Sequence, residues 1–273
     1  MKKINILATF LALAFFASNC KEKCIEIPPL GQGVTSARKV LIEEFTGVRC
    51  PNCPQGSAEI ANLLAIYKEN LIPVSIHAGV FTEPLPETRQ DFRTDEGTAL
   101  EPYLGTPLGY PSAVVDRTAF SGSAGLQSFK SQWAGFIQQD LAVAPPLAIN
   151  LATNFNATTR QLELDMTILP SKTLSGEHRF SIMLTEDHII DAQINGAVHL
   201  DDYDHEHVLR DMLTKYDGAE ISENLTAGVP ISRHFSFTVP TNWKAENCHV
   251  VAFVHHGGVP DKAVLQAEQV PFF

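Results

Sequence analysis

The chain has 273 residues, 44% of them hydrophobic, and a formal net charge of −11. An acidic balance without any basic run excludes nucleic acid as a partner and offers no polybasic patch to anionic lipid. The apolar content suffices for a substantial core, and the length suits two domains rather than one.

The chain opens with Lys2-Lys3, an apolar run from Ile4 to Phe16, and then Ala17-Ser18-Asn19-Cys20. A positive start, a short apolar stretch and small residues make a secretory signal peptide over 1–19, and the run is too short to span a bilayer comfortably. The cysteine directly after the small residues resembles a bacterial lipoprotein signal. That resemblance implies cleavage before Cys20 and its lipidation. Export also places the chain where disulfides persist. Residues 20–37, with Pro28-Pro29, Gly31 and Gly33, read as an extended tether. Cys24 lies within it, either unpaired or joined to Cys248.

Val40, Leu41, Ile42 and Phe45 then form the short apolar run of a strand packed from both sides, which Gly47 ends. Cys50-Pro51-Asn52-Cys53 stands at the mouth of a helix whose apolar stripe is Ile60, Leu63, Leu64, Tyr67 and Leu71. Prolines 51 and 54 are tolerated there because the first helical turn has no internal use for its N–H groups. Two cysteines three apart on a first turn share a face and can form a disulfide or hold one metal. The helix N-terminus and the charge of Arg49 both favour a thiolate, so thiol–disulfide exchange is the expected chemistry, with Cys50 the more reactive thiol.

A second strand follows over Ile72–His77. Between Ala78 and Pro107 lies a polar insertion, with a helix expected around Arg89–Leu104 on the anchors Phe92, Leu100 and Tyr103. Tyr110-Pro111 then opens a short apolar strand running to Asp116. Strand, C-x-x-C helix, strand and a later proline-led strand together resemble the thioredoxin superfamily. The resemblance implies an α/β thioredoxin-like domain over 38–143, a cis bond before Pro111, and Tyr110 and Pro111 lining a groove for substrate backbone. In such relatives an insertion at this point covers the active site; the plain alternative is a surface excursion. A helical stripe over Leu126–Leu141, with Trp133 in the core, closes the domain.

At Ala144-Pro145-Pro146 the hydrophobic period switches from 3.6 to 2. Alternating segments at 147–155, 162–168, 180–184, 235–239, 250–254 and 264–269 suit an all-β immunoglobulin-like sandwich over 144–273. Each half is expected to fold alone. Between Asp187 and Asp211 the chain is polar and rich in histidine. His205 and His207 share a face if extended and, with Asp201, Asp202 or Glu206, can hold zinc or copper. The favoured expectation is a solvated, hydrogen-bonded loop without metal or cofactor.

Taken whole, the chain resembles the outer membrane protein 28 family of Gram-negative lipoproteins. The elements that carry the likeness are Glu44-Phe45-Thr46-Gly47-Val48-Arg49-Cys50-Pro51-Asn52-Cys53-Pro54-Gln55-Gly56, Gly109-Tyr110-Pro111 and the all-β second half. It implies an outer-membrane lipoprotein, on the periplasmic or the cell-surface face. Two functions stand open. One is a thiol–disulfide oxidoreductase in which Cys50 attacks and Cys53 resolves, acting on client protein thiols or disulfides. The other is a non-enzymatic surface adhesin or binding protein in which Cys50–Cys53 is a structural staple.

Overall fold

A computed structural model describes residues 36–123, 125–258 and 261–273. The expected signal peptide, Cys20 and Cys24 lie outside the described residues. The first half contains β1 (Val40–Thr46), α1 (Cys53–Tyr67), β2 (Leu71–His77), α2 (Asp95–Leu104), β3 (Ser112–Val115), β4 (Gln127–Phe129) and α3 (Lys130–Leu141). The second contains β5 (Leu147–Asn156), β6 (Gln161–Pro170), β7 (His178–Glu186), β8 (Ile189–Asn195), β9 (Val198–His205) and β10 (Val208–Met212). It continues with β11 (Ala219–Glu220), β12 (Ile231–Thr238), β13 (Cys248–His256) and β14 (Val264–Pro271).

Every residue of β1 is buried, as its apolar run requires. Val40 and Ile42 face Ile60 and Leu63 of α1 and Trp133 and Ile137 of α3, whereas Leu41 and Phe45 face Leu100 and Leu104 of α2. Trp133 is fully buried in that core. Three elements differ from expectation, each for a local reason. α1 stops at Tyr67, where Lys68 takes a φ of 50°, so Leu71 starts β2 rather than ending the helical stripe. α2 starts at Asp95, because the Thr94 hydroxyl accepts from Gly97 N at 2.9 Å and caps the helix there. Of its expected anchors, Phe92 and Leu100 are buried.

The third difference is the histidine-rich segment. It is not a solvated loop: β8 and β9 pair as an antiparallel hairpin, and β10 enters the main sheet. Backbone pairing organises a stretch whose polarity alone suggested a loop. His205 ends β9 buried, while His207 turns away with a φ of 57° and pairs its Nδ1 with Asp187 at 3.0 Å. The two histidines therefore do not share a ligand face.

Among the described residues, nine strands form one sheet. Its order is β14, β13, β7, β10, β2, β1, β3, β4, with β11 beside β7. β1 and β2 are parallel, and β3 and β4 add antiparallel on the other side of β1. The expected boundary at 144 falls between α3 and β5, yet the sheet runs across it. Val208 of β10 pairs with Ser75 of β2, and Ser75 N donates to the His207 carbonyl at 2.8 Å. A three-stranded sheet of β12, β6 and β5 packs its apolar face on β7 and β13 through Leu164, Met166, Ile182, Leu184 and Val250. The opposite faces of β7 and β13 send Met183, Val251 and Phe253 into the core shared with β1, β2 and α2. The described residues from 36 to 273 belong to one compact unit.

Candidate functional site

Cys50 and Cys53 are joined in a disulfide with Cα atoms 5.4 Å apart. Cys53 is the first residue of α1, Asn52 precedes it as cap and Pro54 fills the first turn, so the bridge spans the entry of the helix. The loop before it is held from behind: Arg49 N donates to the Phe81 carbonyl and Cys50 N to the Gly47 carbonyl, both at 3.0 Å. A Cβ at Gly47 would collide with that Phe81 carbonyl, so glycine is required here for close backbone approach.

Arg49 does not face the sulfurs. Its guanidinium donates to the Glu83 and Pro84 carbonyls at 2.7 and 2.5 Å and tethers the insertion instead. Tyr110–Pro111 is cis. The Pro111 ring packs on α1 at Gly56, where an added Cβ would lie 2.7 Å from it and would strike the Glu44 carboxylate. The Tyr110 hydroxyl donates to Glu101 Oε1 at 3.2 Å, and burial raises its pKa above the ordinary value.

Sequence reading missed how closed this site is. Both cysteines are 1% exposed, because the β8–β9 hairpin lies across the motif. Gln193 Nε2 donates to the Cys50 carbonyl at 3.1 Å and to the Gly47 carbonyl at 3.3 Å. Ile194 N donates to Val48 O and Gly196 N to Pro51 O, each at 2.8 Å. The hairpin is anchored by buried Asp191, whose carboxylate accepts from Arg89 N and Gln90 N at 2.8 and 2.9 Å. The insertion and the hairpin thus clasp each other over the disulfide.

Also missed was Glu44, fully buried in β1 beneath α1. Ser75 Oγ donates weakly to its Oε2 at 3.5 Å, and Oε1 has no hydrogen-bond partner among the described residues. Burial pushes its pKa from 4.5 up to about 8, against a small lowering by Ser75. The available signal was two adjacent glutamates inside an otherwise apolar strand. Folded Glu44 keeps a proton that the unfolded chain releases, so stability falls as pH rises from 4.5 through about 8. The slope reaches about 1.4 kcal/mol per pH unit. Denaturant unfolding of Glu44→Gln should lack this slope, with a stability advantage over the parent that grows through that window. Equal slopes in the two proteins would mean that Glu44 is ionised in the fold.

Behind the bridge is a small polar pocket of about 10 Å³. Cys53, Ser75, His77, Tyr203, His205 and Glu206 are among its lining residues. Three carry the expected metal donors, but the group of donors close enough for one ion, among the described residues, is His188, Asp204 and Glu206 on the surface. His188 pairs there with Glu206 at 2.8 Å and Asp204 at 3.2 Å. Elsewhere, Cys248 is buried and its thiol donates to the Lys244 carbonyl at 3.3 Å.

These features define a predominantly β protein with several sheets and a disulfide at the entry of its first helix. Residues 99–272 match the family model "Outer membrane protein Omp28". The chain belongs to that family, which places it at the outer membrane. HBP35 of Porphyromonas gingivalis is similar in fold at a TM-score of 0.70 and 20% identity, over 86% of this chain and 75% of that one. Protein AGR_C_4864 of Agrobacterium tumefaciens is similar at a TM-score of 0.54 and 14% identity, over 87% and 96% of the two chains. A domain of the outer membrane lipoprotein Omp28 from P. gingivalis aligns at a TM-score of 0.33 and 18% identity, over 46% of this chain and 87% of that one. No curated protein matches the chain.

Proposed function

We propose that this outer-membrane protein is a thiol–disulfide oxidoreductase of client proteins, working through Cys50 and Cys53 on a thioredoxin-like half. Parallel β1–β2 followed by antiparallel β3 and β4, with α1 and α3 on one face, supports that fold reading. The two facing sheets of the second half support an immunoglobulin-like sandwich. The observation that carries the activity is Glu44. Burying a carboxyl with an unpartnered oxygen costs on the order of 1–3 kcal/mol. A structural staple gains nothing from it. Beneath a redox pair, a carboxyl that holds its proton near neutral pH can protonate a cysteine thiolate when the S–S bond opens.

In this reading a client thiolate attacks Cys50 Sγ, the S–S bond breaks, and Cys53 Sγ leaves with the electron pair. In resolution Cys53 Sγ attacks Cys50 Sγ, the Cys50–client bond breaks, and the client leaves as a thiolate. Cys20, acylated after loss of residues 1–19, would anchor the chain to the membrane. The near-complete burial of both sulfurs favours a second reading, a surface binding protein with an inert bridge. The two diverge in one experiment. With Cys53→Ala, Cys50 should accumulate mixed disulfides with client proteins, and Cys50→Ala should not. No trapped partners, together with a bridge potential below about −300 mV, would establish the staple.

A further inference from the structure

The pocket behind the disulfide is lined by Cys53 and not by Cys50, so whatever it holds acts on the inner, resolving sulfur. His77, at the end of β2, is 4% exposed, and its buried Nδ1 has no hydrogen-bond partner among the described residues. Buried imidazoles ordinarily find a partner, and an orphaned one beside a reacting sulfur calls for a reason. The ring packs in a cluster with Phe92, 4.9 Å away, and His205, 5.8 Å away, whose own rings are 4.8 Å apart.

The other groups in the pocket are already committed or wrongly protonated for taking up a proton. Glu206 is paired with His188 at 2.8 Å, and His205 Nε2 lies 3.4 Å from the Ala192 carbonyl. Glu44, behind Ser75, holds its own proton near neutral pH. The charged groups that act on His77 are His205 and Arg210, which oppose its protonation along with burial, and Asp91, which favours it. Together they hold its pKa well below the ordinary value, so at neutral pH the imidazole is neutral and a ring nitrogen keeps its lone pair.

We propose that His77 is the proton acceptor for the Cys53 thiol in the resolving step, through the pocket the two residues share. This rests on the oxidoreductase reading. The Cys53 Sγ–H proton passes to the imidazole, and the sulfur electron pair forms the bond to Cys50 Sγ. The bond from Cys50 to the client sulfur breaks, and the client leaves as a thiolate that is reduced while the protein dithiol is oxidised. The imidazolium then returns its proton to water.

The test uses reduced full-length protein with Cys20→Ser, Cys24→Ser and Cys248→Ala, mixed with 5,5′-dithiobis(2-nitrobenzoate). Cys50 releases the first thionitrobenzoate, and Cys53 displaces the second from the mixed disulfide. His77→Asn should slow the second release at least tenfold at pH 7 and leave the first unchanged. Its pH profile should also move up to that of an unassisted thiol. His77→Gln serves as the second variant if the first fails to fold. A second release unchanged in either folded variant overturns the assignment of His77 while leaving the oxidoreductase reading intact. Failure of the parent to release even the first thionitrobenzoate overturns both.

Discussion

A chain cut between Val143 and Leu147 should give two fragments that do not fold alone and that regain native near-ultraviolet circular dichroism only when coexpressed. The cut follows the change of hydrophobic period, which led to the expectation of two independent halves. The core does not follow it. Met183, Leu209, Met212, Val251, Phe253 and Val264 from the second half bury their side chains against Leu41, Phe45, Ile72, Val74, Ile76 and Leu100 from the first. Six side chains returned to water at about 1.5–3 kcal/mol each cost on the order of 10 kcal/mol. That is comparable with the whole stability of a typical domain. The cut also strips β2 of its partner β10, leaving an unpaired edge in the middle of the sheet. The polar contacts that cross the same seam go too: Val264 N to the Asp116 carbonyl at 2.8 Å and Arg38 Nη2 to the Val264 carbonyl at 3.0 Å. Separate expression with a single dispersed peak and native-like dispersion in NMR for either fragment would show that its own core is sufficient.

The sequence was legible where one physical rule dominated. β1, α1, β2 and α3 carry strong periodicity, and each forms within a few residues of its expected place. The cysteine pair was visible because its spacing is itself the chemistry, and Tyr110–Pro111 because a motif marks it. What stayed hidden depends on contacts between residues far apart in the chain. Nothing local to Gln193 says that its amide will cross to the Cys50 carbonyl, 143 residues earlier. The β8–β9 hairpin is polar because much of its surface faces water, and alternation is weak in a two-stranded ribbon with only one covered side. Glu43 and Glu44 could be read as charges in a strand, but burial of both at 0% exposure is set by Arg117 over Glu43 and by Gly56 and Ser75 around Glu44, which the strand pattern does not contain. Arg49 was assigned to the cysteines by adjacency alone, and the carbonyls of Glu83 and Pro84 compete better for it.

The largest single-residue loss of stability is expected at Arg117. Its guanidinium donates through Nε and Nη2 to the two carboxylate oxygens of Glu43 at 2.9 and 2.7 Å, and both side chains are 0% exposed. The guanidinium carbon also stands 4.7 Å from the centre of the Phe253 ring, so the pair ties β1 to the second half of the chain. Such a bridge adds little over an apolar pair of the same size, because burying two charges nearly offsets their attraction. Removing one partner is different, since the other charge is stranded in a core that water does not reach. Arg117→Ala should lower the unfolding free energy by about 3–5 kcal/mol. Arg117→Lys should recover only part of this, as an ammonium cannot reproduce the two parallel bonds to the carboxylate. The double change Glu43→Gln with Arg117→Met removes both charges and should return most of the stability, so the two sites will be strongly non-additive in a denaturant-unfolding cycle. A loss below about 1 kcal/mol for Arg117→Ala, the level of an exposed pair, would mean that water reaches Glu43 in the folded protein and that the core joining the two halves is not closed.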